Sequence, residues 1–235
     1  MGLPRPLRPE YSTSVPSTGK KIKYNPFTVK EEKILVLASE SNDPDEITNA
    51  IVNVLQNCIT SPSDLRIEEL ALFDIEYLFL KARAKSVGES INLNVTDPDD
   101  ETFTTTHSIN IDRIGIDRTK DHSSVIFIDD NVQVKMRYPD ISFFTDGIDM
   151  SSLTDSIDTM GRCIETIIAG DEVFERVDMT DEELNEWLEG LTTEQFKRIT
   201  NFFVTMPRLR HSFTIRNTNT NKDFTITLEG LSDFF

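Results

Sequence analysis

The sequence predicts an α+β fold: a helical core with an inserted small antiparallel sheet and a C-terminal β-hairpin. Three observations carry this expectation. Leu72–Glu89, LFDIEYLFLKARAKSVGE, puts Phe73, Tyr77, Leu80 and Ala84 on one helical stripe and Ile75, Leu78, Phe79 and Ala82 on the next. Two adjacent stripes make a wide apolar face, which belongs deep in a core. After Gly88 the period drops to two, with Ile91, Leu93 and Val95 alternating with Asn92, Asn94 and Thr96. The helical period returns after about Ser151, and the chain closes on a second run of period two.

Taken in order, residues 1–25 hold Pro4, Pro6, Pro9 and Pro16, a spacing that no helix tolerates. They read as an extended N-terminal arm, in which Ile22 and Tyr24 can add a short strand to a neighbouring edge. A helical part follows over 26–88. Thr28 and Glu31 form a capping box before Ile34, Leu35, Leu37 and Ala38. Asp43–Pro44 supplies an N-cap and a first-turn proline for a second helix carrying Ile47, Ala50, Ile51, Val54, Leu55 and Cys58. Residues 60–66 read as a loop. In the central helix Asp74 and Glu76 come early and Lys81, Arg83 and Lys85 late, which suits the helix dipole, and Gly88 offers a stop.

A β-rich part spans 89–140. Asp97–Pro98–Asp99–Asp100 turns the chain into Phe103, Thr105, His107, Ile109 and Ile111, giving a hairpin. Val125–Ile128 and Val132–Tyr138 are further strand candidates. An acidic helical part covers 141–207: one helix through Leu153, Ile157, Met160, Cys163, Ile164, Ile167 and Ile168, one capped by Thr180 and Glu183, and one from Thr193 through Phe196, Ile199, Phe202 and Phe203. Residues 208–235 form the last hairpin, Phe213 and Ile215 against Phe224, Ile226 and Leu228, and a tail ending in Leu231, Phe234 and Phe235. A chain of 235 residues accommodates these parts as one compact unit or two small domains.

Composition narrows the function. The net charge is −17, unevenly spread: residues 1–30 carry six Lys/Arg against Glu10, whereas 140–190 carry fifteen acids against Arg162 and Arg176. Such a body repels phosphate backbones, so nucleic-acid binding is not expected; a basic arm on an acidic body suits complementary protein surfaces. No apolar run reaches the ~20 residues of a membrane span. MGLPRPLRPE lacks the apolar region of a secretory signal, and Pro6 breaks the myristoylation pattern begun by Gly2. Cys58 and Cys163 read as buried reduced thiols, in keeping with a reducing cytoplasm.

Catalytic signals are thin. The nine glycines form no phosphate loop, and His107, His122 and His211 have no Cys or Glu at ligand spacing, so they read as surface or edge histidines. Asp97, Asp99, Asp100 and Glu101 lack the glycine and distal glutamate of an EF-hand and read as a solvated turn. The competing reading is a metal-dependent hydrolase using His107, His122 or the loop Asp97–Glu101, or a small metal-binding module using the β-hairpin loops.

Several ordered strings resemble the baseplate hub assembly family of T4-type contractile-tailed phages: Val15-Pro16-Ser17-Thr18-Gly19, Asn25-Pro26-Phe27-Thr28-Val29-Lys30-Glu31-Glu32-Lys33-Ile34-Leu35, Ala38-Ser39-Glu40-Ser41, Phe73 through Glu89, and the ending Leu231-Ser232-Asp233-Phe234-Phe235. The match is dense over 15–89 and thin over 140–207. Some relatives carry cysteine pairs in their hairpins, like small zinc ribbons. This chain has none there, so no metal, cofactor or catalytic residue is expected. The resemblance implies a non-enzymatic protein of the phage tail, acting in assembly of the central hub as an assembly factor or as a minor hub subunit. Its expected partners are other hub or tail proteins, with no small-molecule substrate. Its expected location is the host cytoplasm during assembly or the tail baseplate of the virion. The two chain ends are the expected contact regions: Lys21, Ile22, Lys23 and Tyr24 in the arm, and Leu231, Phe234 and Phe235 in the tail.

Overall fold

The computed structural model describes residues 6–41, 43–145 and 153–234. The chain divides into two compact units, one of residues 1–117 with 208–235 and one of residues 118–207.

In the first unit the arm is a hairpin. Strand β1 (Tyr11–Ser14) pairs antiparallel with β2 (Lys21–Tyr24), which pairs on its other side with β3 (Ile59–Ser61). Val15, Ile22 and Tyr24 are buried, and they give the segment the apolar anchor that offsets the entropy of ordering it. Between β2 and β3 run helices α1 (Val29–Ser41) and α2 (Pro44–Cys58); Asp43 caps α2 by accepting from the Asp45 N–H at 2.9 Å. Helix α3 (Leu72–Ser86) buries Phe73, Asp74, Ile75, Leu78, Phe79, Leu80, Ala82 and Ala84, the two stripes read from the sequence less Tyr77, which is half-buried. Strands β4 (Ser90–Asp97) and β5 (Asp100–Asn110) form a hairpin. Strand β6 (Ile116–Asp117) ends the first segment of this unit.

The second unit holds β7 (Val125–Phe127), β8 (Val132–Met136), α4 (Ser142–Thr145), α5 (Leu153–Arg162), β9 (Ile164–Ala169), β10 (Glu172–Glu175), α6 (Asp181–Glu189) and α7 (Thr193–Thr205). Its antiparallel sheet has the order β10-β9-β8-β7. One face carries Ile126, Val134 and Ile167 into a core completed by Met160, Leu184, Leu188, Ile199, Phe202 and Phe203 from α5, α6 and α7. Thr180 and Thr192 cap α6 and α7 with complete capping boxes to Glu183 and Gln195.

The chain then returns to the first unit with β11 (Arg208–Arg216) and β12 (Asp223–Glu229), and Leu231–Phe234 forms a short 3-10 turn.

The expected arrangement, a helical core with an inserted small antiparallel sheet and a C-terminal β-hairpin, is overturned in three respects. First, helices α1–α3 and helices α5–α7 serve separate units, each with its own buried cluster, so there is no common helical core. Second, the strands of 89–138 do not make one sheet. β4–β5 stands as its own pair, β7 and β8 join β9 and β10, and β6 pairs with β11, so the C-terminal hairpin is part of a three-stranded sheet. Third, the helix expected through Ile168 ends at Arg162, and β9 begins at Ile164. Ile164, Ile167 and Ile168 fit a helical face over so short a run, but their branched side chains favour a strand, and Gly170–Asp171 supplies a two-residue hairpin turn with Gly170 at φ +60°.

Candidate interaction surfaces

The arm sheet is held at three points. Asp74 is wholly buried and accepts from the Ser17 N–H at 2.8 Å and the Ser17 hydroxyl at 2.5 Å, which fixes the β1–β2 loop on α3. Lys23 donates to Glu10 at 2.8 Å, and Glu10 accepts from the Thr60 hydroxyl at 3.0 Å. Hydrogen bonds from Lys23 and Thr60 hold the Glu10 carboxyl below the usual range. Tyr24 is pushed up to about 12 by burial, with the negative charge of Asp112 acting in the same direction.

The tail is fixed by polar and apolar contacts together. Phe234 is wholly buried among Leu80, Ala84, Ile111, Ile114, Leu209 and Leu228. The Leu231 N–H donates to Glu76 Oε1 at 3.2 Å, and the Glu229 N–H donates to Asp233 Oδ2 at 2.8 Å. Gly230 sits at φ +72°, and a Cβ there would lie 3.3 Å from Glu76 Oε1, so this turn takes glycine for both reasons. Burial raises the Glu76 carboxyl to about 7; the Leu231 N–H opposes that rise and the charge of Glu229 adds to it.

The β4–β5 and β11–β12 hairpins are joined side chain to side chain. His107 stacks on Phe213 with centroids 4.4 Å apart, and Phe103 meets Phe224 edge-on at 6.1 Å. At the turns, buried Asn217 donates from Nδ2 to Asp97 Oδ2 at 2.7 Å and to Asp100 Oδ2 at 3.1 Å. The carboxylates read as a solvated turn are thus partly committed to a contact about 120 residues away in sequence.

Of the expected contact residues, then, Lys21 and Lys23 point to solvent, Ile22 and Tyr24 are buried, Leu231 is half-buried, Phe234 is buried, and Phe235 lies outside the described residues. Strand β2 is paired with β1 along its whole length and with β3 at Lys23 and Tyr24. Other exposed apolar residues were not singled out by sequence reasoning: Val29, Val36 and Leu37 on α1, and Val173, Phe174 and Val177 after the β9–β10 turn. The Gly170–Asp171 turn signal before Glu172-Val173-Phe174-Glu175 would have pointed to the latter as a strand.

A family model described as T4 bacteriophage base plate protein matches residues 8–235. The chain belongs to this family. Comparison with curated proteins and with solved structures brings no match. Membership in a base plate family gives the chain a phage structural role with other base plate proteins as partners, and points away from enzymatic work.

His122 is held between the Thr205 and Tyr138 hydroxyls, 3.0 Å from each, and burial lowers its pKa. Beside it an open groove of about 350 Å³ runs between β7 and α7, lined by Asp121, Phe127, Lys197 and Arg198 among others. His107 and His211 both lie against Phe213. Among the described residues no group of three or more His, Cys, Asp or Glu could hold a metal ion, and no helix is long and apolar enough to cross a membrane. Cys58 and Cys163 are buried thiols pushed up to about 12 by burial, which keeps them protonated and unreactive at neutral pH.

Proposed function

We propose that this base plate protein acts in building the central hub, as an assembly factor that leaves or as a minor subunit that stays. The family match over residues 8–235 carries the reading, and the ordered resemblance over 15–89 narrows it to the hub. The work is non-enzymatic: the chain presents folded surfaces to other hub or tail proteins. In the first unit the arm sheet offers Lys21 to an acidic partner surface, beside Lys23 in its pair with Glu10, and the tail through Phe234 completes the same unit.

A phage carrying an early stop codon in this gene, complemented from a plasmid, tests the proposal. Infection without the plasmid should yield no complete base plates, and the intact gene should restore them. Lys21→Glu should restore them poorly while leaving the purified protein folded. Complete tails in the absence of the chain would overturn the proposal. Probing purified virions for the protein separates the two versions: presence marks a subunit and absence marks a factor that leaves.

A further inference from the structure

The two edges of the second unit's sheet are treated differently. At the β7 edge, the Ser123 hydroxyl donates to the Val125 carbonyl at 2.9 Å and accepts from the Val125 N–H at 3.1 Å. The Arg198 guanidinium donates to the carbonyls of Phe127 and Ile128, both at 3.1 Å. The chain thereby occupies both outward backbone groups of Val125 and the outward carbonyl of Phe127, groups that an incoming strand would need.

At the other edge, β10 pairs with β9, with Ala169 opposite Glu172 and Ile167 opposite Phe174. Across the two-residue turn Gly170–Asp171 the Ala169–Glu172 pair is the hydrogen-bonded one, and the pattern alternates from there. The N–H and C=O of Val173 and Glu175 therefore face away from β9, onto an edge that takes no further strand among the described residues. All four residues of β10 are exposed, Val173 to 57% and Phe174 to 42%, and Val177 just beyond is exposed to 90%. A strand edge that is apolar, open and unprotected by Lys or Pro is a template for pairing.

Charge decides what pairs with it. Residues 163–190 carry ten acids against Arg176 alone. A second copy would bring two such acidic surfaces together, and like charges repel. An incoming strand of another protein avoids this. Directly opposite residues share a sheet face, so it would meet Glu172 and Phe174 on the face that holds Ile167, and Val173 and Glu175 on the other.

We propose that β10 is a strand-addition site for an extended basic segment of another protein, reading basic–apolar–apolar–basic opposite Glu172, Val173, Phe174 and Glu175. The main chain of Val173 and Glu175 supplies the ladder, and the two glutamates select the charge. This site stands independently of the hub reading.

The test uses the purified full chain and a fluorescent, end-blocked peptide Thr-Lys-Val-Ile-Lys-Thr, with Thr-Lys-Pro-Pro-Lys-Thr as a control of equal charge that cannot pair. Anisotropy should show the first peptide binding about tenfold or more tighter than the control. Amide exchange should slow in residues 172–175 when it binds. Val173→Pro, or Glu172→Lys with Glu175→Lys, should each weaken binding about tenfold while Trp187 fluorescence stays native. Equal binding of both peptides, or binding indifferent to both variants, would overturn the proposal. So would no binding at any soluble peptide concentration, or self-association of the protein that Val173→Pro abolishes.

Discussion

The first unit is assembled from two separate stretches of chain tied together by polar bonds across them, whereas the second is one contiguous stretch that combines local helix caps with bonds such as His122–Thr205 and Arg198–Phe127 around a continuous apolar core. In the first, Asp74 fixes the arm loop, Glu76 fixes the tail and Asn217 joins the two hairpin turns, each reaching more than fifty residues along the chain. In the second, Thr180 and Thr192 close their helices three residues away. Charge differs too: residues 118–207 carry eight Lys/Arg and nineteen Asp/Glu, a net −11, which leaves −6 of the total −17 for the longer first unit. The contrast shows two ways to order loops. A small unit assembled from distant segments needs specific buried hydrogen bonds to set which segments meet, whereas a contiguous segment has that choice made by connectivity.

The sharpest way to break the comparison is Phe234→Ala. Removing a wholly buried phenylalanine costs about 3–5 kcal/mol. The loss should fall on the first unit, seen as faster amide exchange in α3 and β11, while Trp187, the single tryptophan and a residue of the second unit, reports an unchanged melt. An unchanged first unit would make the tail an appendage.

Asp74→Ala comes next. It removes both bonds to Ser17, and a hydrogen bond contributes about 0.5–1.5 kcal/mol. Exchange should rise throughout Tyr11–Tyr24 and stay native in α6.

The two units should also answer pH with opposite sign. Glu76 has its folded pKa raised to about 7, so the folded state holds a proton that the unfolded state releases near the ordinary glutamate value. Its contribution is present at pH 4.5 and is lost as pH rises toward 7. His122 has its folded pKa lowered by burial, so the unfolded state takes the proton first and the second unit weakens as pH falls below 6.5. Between pH 7 and 5, Trp187 melts should fall, and amide exchange near Leu231 should slow relative to its intrinsic rate. Glu76→Gln should remove the second effect and leave the first.

The smallest effect expected is from Thr180→Ala, which removes one cap for about 1 kcal/mol. It should lower the Trp187 melt slightly and leave the first unit as it was.

The sequence made some of this legible and hid the rest for identifiable reasons. The stripes of α3, the proline start of α2, the Thr180–Glu183 capping box of α6 and the hairpin turns at Asp97 and Asn217 each rest on neighbours in sequence, and the structure has them. The switch at Cys163 was hidden because Ile164, Ile167 and Ile168 stand at helical i, i+3, i+4 spacing, and a strand this short with an irregular register shows no clean alternation. The β6–β11 pairing was hidden because it joins residues about ninety apart through a strand of two residues. Burial of Phe234 was equally out of reach: an aromatic near the end of a chain reads the same whether it fills its own core or a partner's. The open edge at β10 was missed with the strand itself, and only the Gly170–Asp171 turn could have announced it.

The central claim is that the arm and tail are finished parts of a folded unit before any partner arrives. Hydrogen exchange of the purified chain, read by mass spectrometry over peptides covering Lys21–Tyr24 and Leu231–Phe234, tests it most directly. Protection of the Lys21–Tyr24 amides comparable with that of α3, and of the Leu231 amide bonded to Glu76, is the expected result. Exchange at unstructured rates in both segments, with α3 still protected, would contradict it and make these ends elements that order only on a partner.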